Sequence, residues 1–346
     1  MKKYFLILTL LFTMSTTFAQ NLIHEKLQRN ALNSREDFKI QLEDQEMNHT
    51  FLPVTLIKGK QQGPVFTIIA GVHGYEYPPI VAIQELLKEI DPSKLTGSLV
   101  IIPIANIASF YTRTPFLNPL DKINLNNAFP GKQDGSITEQ IAHFITSEII
   151  PESDVLLDIH AGDANEDLLP FICYYDHTGR PQQTEQAAAL SKASGFENIV
   201  SYPYTLKDDE PALYAFKQAV QDGKTALSIE SGKLGNVQIE AVALIKSGVY
   251  NILASLEMYG TSEGDKDEVT HYNQQAYLKA SEQGIFISDV KAGDTVIKND
   301  VVGQITDEFG RLIKEVKAPE SGTVLYIIGT PPVNPGETIL CVGYKK

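Results

Sequence analysis

The stretch "VFTIIAGVHGYEYPP", residues 65–79, runs from an apolar segment of strand type into a histidine, a glutamate three residues later and two prolines. Pro78 and Pro79 suit the first turn of a helix, and Glu76 falls where the helix dipole favours negative charge. The stretch therefore reads as strand, turn and helix start. His73 and Glu76 at that exit also have the spacing of half a metal site, although so short a motif recurs by chance.

The same alternation continues on both sides. Between residues 54 and 260, "PVFTIIAG", "SLVIIPIAN", "DVLLDIHAG", "ENIVSYP" and "KTALSIESG" read as strands, and the longer amphipathic stretches between them as helices. Near-continuous apolar strands separated by helices imply an α/β fold, a mostly parallel sheet covered by helices on both faces. In such sheets, sites form at the carboxyl ends of the strands.

Beyond "GTSEGDKDE", residues 260–268, no helical period remains. Short strands and turns follow, and they repeat: "KASEQG" (279–284) returns as "KAPESG" (317–322), and "GDTV" (293–296) as "GETI" (336–339). Two related halves imply a small all-β barrel-sandwich domain over residues 270–346 with pseudo-twofold symmetry. It resembles the fold of biotinyl and lipoyl carrier domains, but the tip "TDEFGR" holds no lysine in the turn to carry a swinging arm.

At the other end, "MKKYFLILTLLFTMSTTFAQ" has a basic start, a short apolar stretch and small residues up to Ala19. That is the layout of a signal peptide over residues 1–19, so the chain is expected to be exported, periplasmic or secreted, without a stable membrane span. The catalytic domain then occupies residues 20–260. Loss of the leader removes two lysines and no acids, taking the formal net charge of −14 to −16. So acidic a chain is a poor partner for nucleic acid, and an anionic substrate has to be held by locally placed donors. Cys173 and Cys341 lie in apolar runs and read as small core residues.

Three strand ends carry the chemistry: His73 and Glu76 in "GVHGYE", His160 in "DIHAGD", and Glu230 in "SIESG". A parallel sheet gathers such ends on one edge. Two imidazoles and one carboxylate are the ligand set of a catalytic zinc site with an open fourth position, and a further glutamate can serve as base. Asp158 alternates onto the same side of its strand as His160, where it could accept a hydrogen bond from the imidazole.

Together "GVHGYE", "DIHAG" and "IESG" resemble the motifs of the succinylglutamate desuccinylase and aspartoacylase family, within the zinc carboxypeptidase-like superfamily. The resemblance runs from about residue 60 to 260. It implies one Zn2+ per chain held by His73, Glu76 and His160, with Glu230 as the catalytic glutamate. "FYTRTPFLNPLDKINLNNAFPG" resembles the family segment with an arginine, then "NLNR" and "FPG". On that match, Arg113 would polarise the scissile carbonyl and Asn126 would take the place of the family asparagine. At Asn127 the family has an arginine that grips a substrate carboxylate, a charge asparagine cannot supply.

The resemblance implies a zinc-dependent hydrolase that cleaves the amide of an N-acyl amino acid or related small molecule. A carboxypeptidase or cell-wall peptidase acting on short peptides is the nearest alternative, and an inactive exported binding protein the alternative of another class. The acyl group, the amine and whether the chain forms a homo-oligomer stay open.

Overall fold

The computed structural model describes residues 21–207, 209–261 and 268–346. The expected leader, and residues 262–267 of the polar linker, lie outside the described residues. In chain order the first region contains helix α1 (Leu22–Arg29) and strands β1 (Ser34–Glu43), β2 (His49–Lys58) and β3 (Gln61–Ala70), then α2 (Tyr77–Glu89), β4 (Thr96–Ile102), α3 (Ile107–Thr112) and α4 (Ile137–Phe144). There follow β5 (Val155–His160), β6 (Glu166–Leu168), β7 (Phe171–Asp176), α5 (Pro181–Ala193), β8 (Asn198–Pro203), α6 (Ala215–Gln221), β9 (Thr225–Glu230), α7 (Ile239–Ser255) and β10 (Thr270–Tyr272).

Nine strands form one sheet in the order β1-β2-β4-β3-β5-β9-β7-β8-β10. Its centre, β4-β3-β5-β9, is parallel, while β1, β2 and β7 bring in the antiparallel pairings. Alternate residues of each strand face opposite layers. Phe66, Ile68, Leu157, Ile159, Leu227 and Ile229 pack against α2, α5 and α7, whereas Ile69, Leu156, Ala226, Phe171 and Cys173 pack against α1, α4 and α6. Asp158, His160 and Glu230 have the parity of the second set, so these three side chains lie on that face.

The remaining strands are β11 (Gln274–Lys279), β12 (Gly284–Ser288), β13 (Thr295–Val296), β14 (Val301–Thr306), β15 (Leu312–Lys317), β16 (Gly322–Ile328), β17 (Pro332–Val333) and β18 (Thr338–Tyr344). They make two antiparallel sheets, β11-β18-β16-β13 and β15-β14-β12-β17, closed over a core that includes Val302, Val324, Leu340 and Val342. The repeat is visible in three dimensions. Short β13 pairs with the start of β16 in one sheet, short β17 pairs with the start of β12 in the other, and the matching Ala280 and Ala318 are both buried. The tip between β14 and β15 is the lysine-free turn read in the sequence.

The two regions share structure. Thr270–Tyr272 still belongs to the large sheet, and β6, from the loop that follows His160, extends the small sheet by pairing with β16. Leu325 and Cys341 join the same apolar cluster as Phe171 and Cys173, and both cysteines are free thiols. Truncation after Gly260 therefore strips β6 of its partner and uncovers apolar side chains. The shortened chain should melt well below the full chain and bind an apolar dye such as ANS; an unchanged Tm would show that the shared core adds nothing.

Candidate metal centre and its surroundings

β3 and β5 are parallel neighbours, and β5 pairs in turn with β9, so their carboxyl ends meet on one edge of the sheet. His160 is in register with Glu230 across the β5–β9 pair. Glu76 is the N-cap of α2, but its side chain makes no capping bond and turns instead towards the two imidazoles. Two glycines let the flanking loops close up. The Gly162 N–H donates to the Gly232 carbonyl at 2.9 Å, and a Cβ on Gly232, whose φ is +110°, would lie 2.6 Å from the Pro78 ring.

His73, Glu76 and His160 are buried, and one ligand atom from each lies within 4.8 Å of the others. Glu76 bridges the pair. Its Oε1 is 2.5 Å from His73 Nδ1 and its Oε2 is 3.0 Å from His160 Nδ1. The outer ring nitrogens also face oxygens. His73 Nε2 is 3.1 Å from Asn124 Oδ1, an atom fixed as the oxygen because it accepts the Asn126 N–H at 2.8 Å. His160 Nε2 is 3.1 Å from Asp158 Oδ1, an ion-pair contact, and both Asp158 oxygens are buried without a hydrogen bond.

Each of the four ring nitrogens thus lies within 3.1 Å of an oxygen, three of them in hydrogen-bond geometry. Protons alone could satisfy them only as two imidazolium ions with ring centroids 5.6 Å apart in a buried site. A divalent cation among the two Nδ1 atoms and Glu76 meets the same demand with both rings neutral and their protons on Nε2. The donor set therefore fits such an ion. The electrostatics show the same need for positive charge. Burial opposes ionisation of His73 and His160, but Glu76, and for His160 first of all Asp158, overrides it, lifting His73 to about 9 and His160 well above the usual range. Burial also opposes ionisation of Glu76, yet the two histidines hold its carboxyl at about 2.

Glu230 is part-accessible at the end of β9, with protein around most of its carboxyl, which makes no hydrogen bond or ion pair with another described residue. Burial, opposed by His160 and reinforced by the charges of Glu76 and Glu166, raises it to about 8. The other expected residues are more spread out. Arg113 caps α3 in the left-handed region (φ 55°), is exposed, and lines a groove beside Tyr77 and Phe110. Asn126 is part-buried, with its side-chain oxygen buried and unpartnered among the described residues. Asn127 is exposed, so the site where the family arginine would stand offers neither charge nor enclosure.

Three residues near the centre were not assigned from the sequence. Asn124 is one, and it stands in the quoted "NLNN". Asp163 closes the quoted "DIHAGD"; its carboxylate accepts the Phe116 N–H at 2.9 Å, tying the Arg113 loop to the His160 loop, and the Phe116 ring meets His73 edge-on at 6.0 Å. Burial, with the Glu76 charge, raises the Asp163 carboxyl. Glu166 accepts the Asp163 N–H at 2.8 Å, and burial raises it to about 7. No local pattern marks Glu166, because its position depends on the pairing of β6 with β16.

The chain matches the model of the succinylglutamate desuccinylase/aspartoacylase catalytic domain over residues 62–256. It is 31% identical over 302 residues to the N-alpha-acetyl-L-2,4-diaminobutyric acid deacetylase of Halomonas elongata, an alignment covering 84% of this chain and 85% of that one. Among solved structures, a succinylglutamate desuccinylase/aspartoacylase from Rhodobacter sphaeroides superposes with a TM-score of 0.80 at 23% identity, over 92% of this chain and 98% of that one. The ectoine utilization protein EutE (DoeB) from Ruegeria pomeroyi does so with the same TM-score at 24% identity and the same coverage. These two share its fold. The family match spans more than half of the chain and the sequence relative most of it, and on those grounds the chain belongs to the succinylglutamate desuccinylase/aspartoacylase family.

Proposed function

We propose that the protein is an exported zinc-dependent deacylase that hydrolyses the amide bond of an N-acyl amino acid or a related small molecule. The observation that carries the reading is the buried trio His73, Glu76 and His160, whose nitrogens all face acceptors, with Glu230 one strand away. The Halomonas relative, named for removing an acetyl group from a small amino acid, supports that substrate class.

His73, Glu76 and His160 would hold the zinc, which when bound supplies Lewis acidity towards water and the scissile carbonyl. Glu230 takes the proton of the attacking water and returns it to the leaving amine. Raised to about 8 by burial and the charges of Glu76 and Glu166, it is a strong base in its ionised form, and no neighbouring described side chain engages it. Arg113, at the rim, supplies positive charge to the carbonyl oxygen as negative charge develops there. The buried, unpartnered oxygen of Asn126 offers an acceptor to a substrate N–H. Asn127 leaves the substrate without the usual cation. Residues 1–19 supply the export signal in this reading.

Purified protein should contain about one zinc per chain, and His160→Ala should release most of it. Retention of full zinc content by that variant would remove His160 from the site. Glu230→Gln keeps shape and hydrogen bonding but cannot accept the proton, so metal content and Tm should hold while kcat falls by at least roughly 100-fold; wild-type turnover by the variant would sink the mechanism. Asn127→Arg should raise kcat/KM for N-acyl amino acids relative to the same compounds as carboxamides, a contrast measurable by amine release. No change in that ratio would mean that position 127 does not meet the carboxylate.

A further inference from the structure

Along α2, the helix whose N-cap residue is Glu76, runs a groove of about 440 Å³. Its walls include Tyr77, Val81, Phe110, Tyr111 and Val237, with Gln84 and Arg113 as its polar members. Tyr77 directly follows Glu76. Arg113 lies three residues before Phe116, whose ring touches His73. Two of its lining residues are thus tied through short stretches of chain to residues at the centre.

The groove is built as a receptor for apolar surface. Tyr77 meets Phe110 edge-on at 6.0 Å and Phe110 meets Tyr111 at 5.2 Å, a preassembled aromatic wall. Tyr111 is nevertheless 70% exposed and Val237 42% exposed. Apolar surface left open in a cleft of this volume, large enough for an aromatic side chain, marks a binding site more than it does ordinary scatter. No aspartate or glutamate lines it. Arg113 makes no ion pair or side-chain hydrogen bond with another described residue, so its charge is available to an oxygen of the occupant.

We propose that this groove is the side-chain subsite of the same centre, taking an apolar group, branched or aromatic, carried by the substrate, with the substrate's carbonyl at the Arg113 end. The inference rests on the deacylase reading and narrows it. The Halomonas relative is named for a substrate whose side chain carries an amine. A cationic side chain would find no counter-charge in this groove and would face Arg113, so the chain should discriminate against it.

The test compares kcat/KM for N-acetyl-L-phenylalanine, N-acetyl-L-alanine and Nα-acetyl-L-2,4-diaminobutyrate in the wild type and in Val81→Glu. This substitution puts a carboxylate in the groove at a helix position that tolerates glutamate, and Tm and zinc content check the fold. The wild type should favour the phenylalanine compound over both others by roughly 10-fold or more. Val81→Glu should collapse the phenylalanine-to-alanine ratio and raise the relative rate on diaminobutyrate. Equal wild-type rates, or ratios that Val81→Glu leaves unchanged, overturn the subsite. Calorimetry with N-acetyl-L-phenylalanine on the same proteins reads the groove without turnover. Binding that Val81→Glu weakens about 10-fold upholds it even if no amide is cleaved, in which case the deacylase reading is what fails. Equal affinity in both proteins, or no binding to the wild type, overturns it.

Discussion

One buried carboxylate organises this molecule. Glu76 lies between two imidazoles whose remaining nitrogens already face oxygens, so the buried cluster calls for positive charge. Isolated buried charge is costly, and groups arranged in this way persist where a partner of opposite sign completes them. The arrangement also constrains the chain around it. Glu76 gives up its capping role at α2, and the loops after β3, β5 and β9 must all end within reach of one point.

Those loops are held by a short chain of contacts. Asp163 fastens the Arg113 loop, Glu166 fastens Asp163, and β6 fastens Glu166 to the small β-sheets through its pairing with β16. Asp167 adds a bond to the Lys233 ammonium at 2.8 Å, three residues beyond Glu230. The C-terminal region is therefore more than an appended cover. It is one of the supports that set the distance between the His160 and Glu230 loops, and its Leu325 and Cys341 complete the core beneath them.

The one departure from the quoted family motifs is Asn127. His73, Glu76, His160 and Glu230 stand where the family motifs place them, whereas position 127 is an exposed asparagine, and the groove along α2 is lined mainly by aromatic and aliphatic side chains with Gln84 and Arg113. Lys132, near in sequence, is exposed and paired with Glu139, so it is not placed to replace the missing charge.

Much of this was legible in the sequence, and for a physical reason. Period-2 and helical apolar patterns are local, and they showed β3, β4, β5, β8 and β9 and the helices α2, α4, α5 and α7; glycine-flanked polar residues at strand exits marked His73, Glu76, His160 and Glu230. The repeat in the tail announced two sheets. The ten-residue β1, which alternates part-buried and exposed residues, was passed over, as was β7, whose apolar run "FICYYD" belongs to a strand that turns antiparallel to β9. Other features arise only from long-range pairing. Glu166 acquires its place through a strand 160 residues away, Asn124 through a loop that folds back onto His73, and the groove from α2, α3 and the segment after β9 meeting side by side. Residue types and their local periods determined which side chains could do chemistry. Which of them share a buried carboxylate, and what groove forms along α2, was decided only when non-local strands and loops were brought into contact.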